Sequence, residues 1–428
     1  MLGKKSPLGH NPNMRVAMIS YHTCPLATLG GKDTGGMNVY VRDLTRELGR
    51  RGVGVDIFTR SQDEHVPHVL HDLGFGNRIV HIEAGPETPL GKDELANYLP
   101  KFVNGITKVT QSKSLRYDLI HSHYWLSGLA ALDLRSKWNI PVIHMFHTLA
   151  VMKNRVAQAP DEVASSRRVE AEKRLIREAD RIIAATQAEV AQIQWLYREN
   201  TDRVEVIPPG VDTSRFYPIS VDEAKEFIGL PSDTKVILYV GRIEPLKGID
   251  TLMRAVATMK EAGVNDRFPF CVAIIGGELE DEDAGLSVEM ERLTNLRETE
   301  GVGDNVSFLG SRDQDTLQYY YSAAEVVVVP SHYESFGLVA LEAMACGTPV
   351  VASETGGLAF LVRDGETGFH IPAGDSASLA QRLTDLLEND ELRTRLGRQA
   401  AEYAKQYNWT LIADQMLELY GSVMPKTA

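Results

Sequence analysis

Short apolar runs, each followed by a loop and then by an apolar stripe of helical period, recur along most of this chain. That alternation leaves few architectures. Parallel strands need long crossover connections, and the helix in each crossover must cover a sheet face. In the first series, residues 15–20 (RVAMIS) read as a strand and a Gly-rich loop follows at 30–36. Met37, Val41, Leu44 and Leu48 then fall at spacings of 4, 3 and 4, one face of a helix. Gly52 stops that helix and 53–59 is the next strand. The unit recurs with strands over 117–122, 141–146, 181–186 and 204–209 and helices over 125–138 and 168–179. The series ends at Pro208-Pro209-Gly210. A second begins later, with strands over 235–241, 271–276, 305–309, 325–330, 348–353 and 368–371.

With 428 residues the chain exceeds one ordinary core. The expected fold is therefore α/β, with two Rossmann-like domains facing across a cleft. The expected division is a disordered lead-in over 1–13, an N-terminal domain over 14–212 and a C-terminal domain over 213–405. A last helix within 406–428 is expected to pack back on the N-terminal domain. In such sheets ligands sit beyond the carboxyl ends of the strands, so the cleft is the natural site.

A net charge of −13 argues against nonspecific nucleic-acid partners. No stretch approaches the ~20 apolar residues of a membrane span. The three cysteines, Cys24, Cys271 and Cys346, lie far apart without metal-type spacing, which fits a reduced, cytoplasmic setting.

The stretch at 334–342, Glu-Ser-Phe-Gly-Leu-Val-Ala-Leu-Glu, carries the most chemistry. It follows a buried strand and opens a helix. A helix start offers unpaired N–H groups and a positive dipole end, which suits a phosphate. Gly337 removes a side chain that would block close approach. Glu334 and Glu342 would repel a phosphate, and fit better as acceptors for sugar hydroxyls. In the turn Gly241-Arg-Ile-Glu-Pro-Leu-Lys-Gly248, Arg242 and Lys247 lie five residues apart and can converge on a diphosphate. The bland reading of both is solvated surface charge.

Other motifs are weaker. The loop ending at Gly35-Gly36 matches neither the Walker pattern nor GxGxxG; a plain turn competes with backbone contact to a ligand at the helix start. The pairs His121/His123 and His144/His147 sit at strand ends, where zinc ligation, structural packing and sugar contact by His147 all compete. No HExxH motif or cysteine ligand accompanies them. Asp281-Glu-Asp283 and Asp313-Gln-Asp315 fit Asp-x-Asp but read most simply as solvated loops.

Taken together, Glu334 and Glu342 enclosing seven residues, Gly35-Gly36, Gly241-Arg242 with Lys247, Pro208-Pro209-Gly-Val-Asp212 and Gly347-Thr-Pro349 resemble the retaining GT-B glycosyltransferases of family 4. The resemblance covers the chain from Arg15 to about Trp409. Segments 33–40, 121–128 and 147–154 are most similar to the D-inositol-3-phosphate glycosyltransferases of mycothiol synthesis. The start Asp33-Thr-Gly-Gly36 and Arg168-Val-Glu-Ala-Glu172 are shared with sucrose-phosphate synthases, whose acceptor, fructose 6-phosphate, is also a sugar phosphate.

The resemblance implies a UDP-sugar donor, UDP-GlcNAc first, and a phosphorylated acceptor, first 1D-myo-inositol 3-phosphate. It implies an acceptor phosphate held by Lys92, Tyr124, Thr148 and Arg168, with Asn38 and His22 near the ring. It implies donor contacts from Gly35, Gly36, Arg242, Lys247, Arg312, Glu334, Phe336, Gly337, Leu338 and Glu342. Arg242, Lys247, Glu334 and His147 would serve the chemistry. No metal or other cofactor is expected to be required; a homodimer is compatible with the resemblance, since dimers are common among such enzymes, and the sequence leaves the oligomeric state open. A metallohydrolase, a silent sugar-nucleotide-binding protein and a sugar epimerase remain competing classes.

Overall fold

The computed structural model describes residues 14–28, 34–157, 160, 163–277 and 287–424. The lead-in over 1–13, part of the first Gly-rich loop (30–33) and the triplet at 281–283 lie outside the described residues.

Two sheets form. The first contains β1 (Arg15–Ile19), β2 (Gly54–Arg60), β3 (Val69–Leu70), β4 (Arg78–Ile82), β5 (Leu119–His123), β6 (Val142–Met145), β7 (Arg181–Ala184) and β8 (Val204–Val206). Its order is β3-β4-β2-β1-β5-β6-β7-β8, and β3 is the antiparallel strand, paired to β4. The second contains β9 (Lys235–Val240), β10 (Phe270–Ile275), β11 (Val306–Gly310), β12 (Val326–Val329), β13 (Val350–Ser353) and β14 (Gly368–Ile371). It is parallel, in the order β11-β10-β9-β12-β13-β14. The two-domain α/β expectation holds.

Strand order reverses between β1 and β5 in the first sheet and between β9 and β12 in the second. Crevices open at such switch points, and the turns after β5, β9 and β12 carry Tyr124, Arg242 and Glu334. Helices on both faces make the central strands apolar on both sides. All four valines of β12 are buried, as a doubly covered parallel strand requires.

The sequence reading left residues 61–116 unassigned. They supply β3, β4 and the helices Lys92–Leu95 and Leu99–Ser112. The last helix, Trp409–Val423, returns to pack on the helix Gly36–Arg50. Its buried face is Trp409, Ile412, Ala413, Met416, Leu417, Leu419 and Tyr420, mostly at helical spacing. Each large apolar side chain there contributes roughly 1.5–3 kcal/mol of burial. Arg51 Nε fixes the angle by donating to Asp414 Oδ1 at 2.9 Å, and the segment entering the helix is tied down by Val211 N donating to Tyr407 O at 2.8 Å.

Candidate active site

A cleft of about 330 Å³ runs between the carboxyl ends of the two sheets. Every residue singled out above for donor, acceptor or chemistry lies on its wall.

The first sheet supplies His22, Gly35, Gly36, Asn38, Lys92, Tyr124, His147, Thr148 and Arg168. The helix Gly36–Arg50 begins where the halves approach each other. A Cβ on Gly36 would sit 3.2 Å from Leu338 Cδ1, and one on Gly35 3.6 Å from Arg242 Nε. Asn38 is committed locally. Its Nδ2 donates to Thr23 Oγ1 (2.9 Å) and to Cys24 O (2.8 Å), and its Oδ1 accepts from Gly35 N (3.0 Å). Both amide protons that could have reached a ring hydroxyl thus hold the loop.

Tyr124 and His147 follow β5 and β6 with φ of 73° and 61°. Side chains in this left-handed region carry strain of order 1–3 kcal/mol, and here the strain turns both rings toward the cleft wall. Arg168 lies beneath them, 6% exposed. Its Nε donates to Glu172 Oε1 (2.7 Å), Nη1 to Tyr124 Oη (3.1 Å), and Nη2 to Thr148 O (2.8 Å) and Oγ1 (3.1 Å). The guanidinium carbon also stands 4.8 Å from the Tyr124 ring centroid. Glu172 is buried and saturated, since Oε2 accepts from Ala150 N at 2.9 Å and from the Tyr197 hydroxyl.

The histidines sort themselves. His121 Nδ1 meets Tyr420 Oη at 2.8 Å, His144 Nδ1 meets Ser122 Oγ at 2.8 Å, and His123 Nδ1 meets His147 Nε2 at 3.0 Å. Burial holds all four rings below the ordinary histidine value, His121 down to about 3. They are neutral at pH 7. Among the described residues, the trio with ligand atoms close enough for one ion is His68, Glu83 and Glu87, mostly exposed and away from these rings.

The second sheet supplies Arg242, Lys247, Arg312, Glu334, Phe336, Gly337, Leu338 and Glu342. Arg242 Nη1 pairs with Glu244 Oε1 at 2.6 Å, and Lys247 Nζ with Glu334 Oε2 at 2.6 Å. Gly337 caps the helix Leu338–Ala345 with φ of 104°, and a Cβ there would lie 2.5 Å from Leu358 Cδ2. Glycine is required twice over, by conformation and by space. Glu342 is 6% exposed and its Oε2 accepts from Tyr321 Oη at 2.7 Å. Burial pushes its carboxyl up to about 7, against the Tyr321 hydrogen bond and the weaker pull of Arg42 and Arg215. Arg312 is turned to Tyr320 Oη (3.2 Å) and Ser311 O (3.0 Å).

Among the wall residues not singled out above are Lys153, Tyr239, Gln314 and Tyr333. Burial, then the cations Lys92, Arg168 and Arg242, hold the Lys153 ammonium below its ordinary value. Gln314 Oε1 accepts from Arg42 of the first half and Arg215. Lys153 lies inside the segment 147–154 that carried the resemblance; Gln314 is the middle residue of the Asp313-Gln-Asp315 triplet, which reads most simply as a solvated loop.

Two Rossmann-like sheets with phosphate-compatible groups on both walls of one cleft are the architecture of the GT-B class. Family comparison agrees. Residues 34–215 match the model described as Glycosyltransferase Family 4, and residues 220–403 that of Glycosyl transferases group 1. The chain is 41% identical over 411 residues to a D-inositol 3-phosphate glycosyltransferase of Corynebacterium diphtheriae, covering 95% of this chain and 94% of that protein. The corresponding protein of Thermomonospora curvata is 41% identical over 416 residues, with 96% and 95% covered. Among solved structures, a sucrose-phosphate synthase from Thermosynechococcus elongatus superposes with a TM-score of 0.88 at 36% identity, over 96% of this chain and 99% of that one. Anabaena HepE, solved with UDP and glucose, shares the fold with a TM-score of 0.73 at 20% identity, over 96% and 100%. The chain belongs to the family 4 glycosyltransferases.

Among the described residues no helix is long and apolar enough to cross a membrane.

Proposed function

We propose that this enzyme moves a sugar from a UDP-sugar, first UDP-GlcNAc, to a phosphorylated polyol, first 1D-myo-inositol 3-phosphate, with retention at the anomeric carbon. The supporting observation is the cleft itself: Arg168, Tyr124, Thr148 and Lys92 stand on one wall, Arg242 and Lys247 on the other. Two cationic ends suit two phosphorylated substrates. In this reading residues 14–212 are the acceptor-side domain and 213–405 the donor-side domain.

Arg242, Lys247 and the N–H groups at the start of the helix Leu338–Ala345 would hold the diphosphate. They would stabilise the charge that grows on it as the glycosidic bond breaks. Glu342 would accept from the ribose hydroxyls, Glu334 would orient the sugar, and His147 would reach the sugar from the other wall. Same-face attack assisted by the leaving phosphate fits a site with no carboxylate assigned as nucleophile. Closure of the cleft would exclude water. No metal takes part in this scheme, so turnover should persist in EDTA; complete loss restored by zinc would count against it.

Sucrose-phosphate synthesis is the second reading. The 36% identity and 0.88 TM-score to such an enzyme favour it, and its acceptor is also a sugar phosphate. A matrix of UDP- and GDP-sugars against inositol 3-phosphate, fructose 6-phosphate and their dephosphorylated forms separates the readings. The proposal expects turnover with inositol 3-phosphate and little with free inositol. Preference for fructose 6-phosphate selects the second reading. Equal use of phosphorylated and free acceptors defeats both. The anomeric coupling of the product tests retention.

A further inference from the structure

Of the four histidines that end β5 and β6 or follow them, His147 is the one that reaches the cleft. Its Nε2 is engaged by His123 Nδ1 at 3.0 Å, which leaves Nδ1 as the nitrogen offered to a ligand. Both rings are neutral, so one proton occupies the contact between them. It can belong to either ring. If His123 donates, the His147 proton sits on Nδ1 and the buried Nε2 of His123 is a bare acceptor. If His147 donates, its Nδ1 is bare, and His123 must bury an N–H on Nε2. That Nε2 has no hydrogen-bond partner among the described residues. Buried N–H groups without an acceptor are rarer than under-used acceptors, so the first arrangement is favoured.

We propose that His123 is a positioning residue: its Nδ1–H locks His147 in the Nδ1-protonated tautomer, so that His147 offers the cleft a hydrogen-bond donor and not a base. The ligand group it fits is an oxygen with free lone pairs, a sugar hydroxyl or a phosphoryl oxygen. The inference rests on the reading of His147 as a sugar contact.

The lock is held from behind by the returning C-terminal helix. The His121 ring packs on the His123 ring at 4.3 Å between centroids, and His121 Nδ1 is hydrogen-bonded to Tyr420 Oη of that helix. Tyr40 lies edge-on to His123 (5.6 Å), His147 (5.2 Å) and Trp409 (5.5 Å). His123 therefore has aromatic rings against it from two elements of its own domain, and each of these rings is braced by the last helix. A tautomer set in this way is fixed before any substrate arrives, the same logic by which a second partner orients a catalytic or metal-bound imidazole.

Side-chain nitrogen NMR of the ring-labelled protein reads the tautomer directly, without substrate. A proton on His147 Nδ1 with a bare Nε2 is the expected result; the reverse overturns the inference outright. In His123→Leu the lock is gone, and the His147 signals should move to a mixture of tautomers. With the donor–acceptor pair that turns over best, kcat should fall about tenfold, the value of one lost hydrogen bond, while the donor KM holds. His123→Asn places an amide nitrogen where Nδ1 stood and should recover most of the loss, which a purely structural role would not predict. Unchanged tautomer and kcat in His123→Leu would sink the proposal. If that variant does not fold, the wild-type spectrum still decides. If no pair turns over at all, the functional reading fails and the spectrum judges this inference alone.

Discussion

The two ends of the cleft both present cations, and they hold them differently. Arg168, at the end proposed for the acceptor, is buried, makes four hydrogen bonds and lies against an aromatic face. Its geometry is complete without ligand. Arg242 and Lys247, at the end proposed for the donor, are partly exposed, and each leans on a single carboxylate, Glu244 or Glu334. A diphosphate arriving there must compete with those carboxylates. Arg168 is thus part of the domain's architecture, and Arg242 and Lys247 are exchangeable. Removing groups at the first end should unsettle the fold; removing groups at the second should spare the fold and slow the reaction.

The largest effect is expected from Glu172→Ala. Glu172 is fully buried and is the carboxylate facing Arg168. Its loss strands a buried guanidinium, at a cost of about 3–5 kcal/mol. Denaturant unfolding measures it. A change below 1 kcal/mol would mean that the acceptor end is as exchangeable as the donor end, and the contrast would be lost.

Lys247→Ala tests the other side. Removing one preorganised charge from a departing group lowers kcat by about 10²–10³. Stability should change by no more than about 1 kcal/mol, because the partner Glu334 keeps access to solvent in the cleft. Near-normal turnover in steady-state assays would remove Lys247 from the diphosphate site.

The buried carboxylates sharpen the contrast. Glu172 has a cation, whereas Glu342 has a phenol. With its folded value raised from 4.5 to about 7, Glu342 keeps its proton longer in the folded state than in the unfolded one. Stability from this group is whole below pH 4.5, declines as pH rises to about 7, and is flat above. The decline is at most roughly 3 kcal/mol. Glu342→Gln should flatten that slope in unfolding experiments across pH, while weakening UDP binding if the ribose contact is real. An unchanged slope would mean that Glu342 is not the group titrating there.

What was legible in the sequence follows from how local each signal is. β12 is four consecutive valines, and the turn after it holds Glu334 and Gly337 within one stretch. Both strand and site could be read there. The helix Leu99–Ser112 was missed although Pro100 marks a helix start. Gly105 argues against a helix interior, and its reason is tertiary: a Cβ there would fall 2.4 Å from Ile82 Cγ2 on β4. The site residues themselves were within reach because they cluster in short motifs. Their pairings were not. Lys247 and Glu334 are 87 residues apart, Gln314 meets Arg42 across 272, and Asn38 looked free for a ligand until the loop around Cys24 closed on it. Chain folding alone creates those contacts.

The smallest of these effects concerns how the acceptor end draws its anion. Arg168 and Glu172 form a closed pair, and paired charges project little net attraction. Lys92 and Lys153 both face the cleft at this end and can meet an acceptor phosphate themselves. Lys92 stands 5.8 Å from the Tyr124 ring, beside the arginine. Lys92→Met keeps the stem and deletes the charge. If one charge-assisted contact to phosphate is lost, discrimination between a phosphorylated acceptor and its free form should fall by about 1.5–3 kcal/mol. The measurement is the ratio of kcat/KM for the two acceptors in wild type and variant. The donor KM should not move, because Lys92 sits on the wall opposite Arg242 and Lys247. The same substitution at higher salt should matter less, since a partly exposed ammonium is screened, whereas the buried Arg168 contact should be indifferent to salt. An unaltered ratio would mean that Arg168 carries the phosphate despite its carboxylate. The acceptor end would then be the more exchangeable of the two.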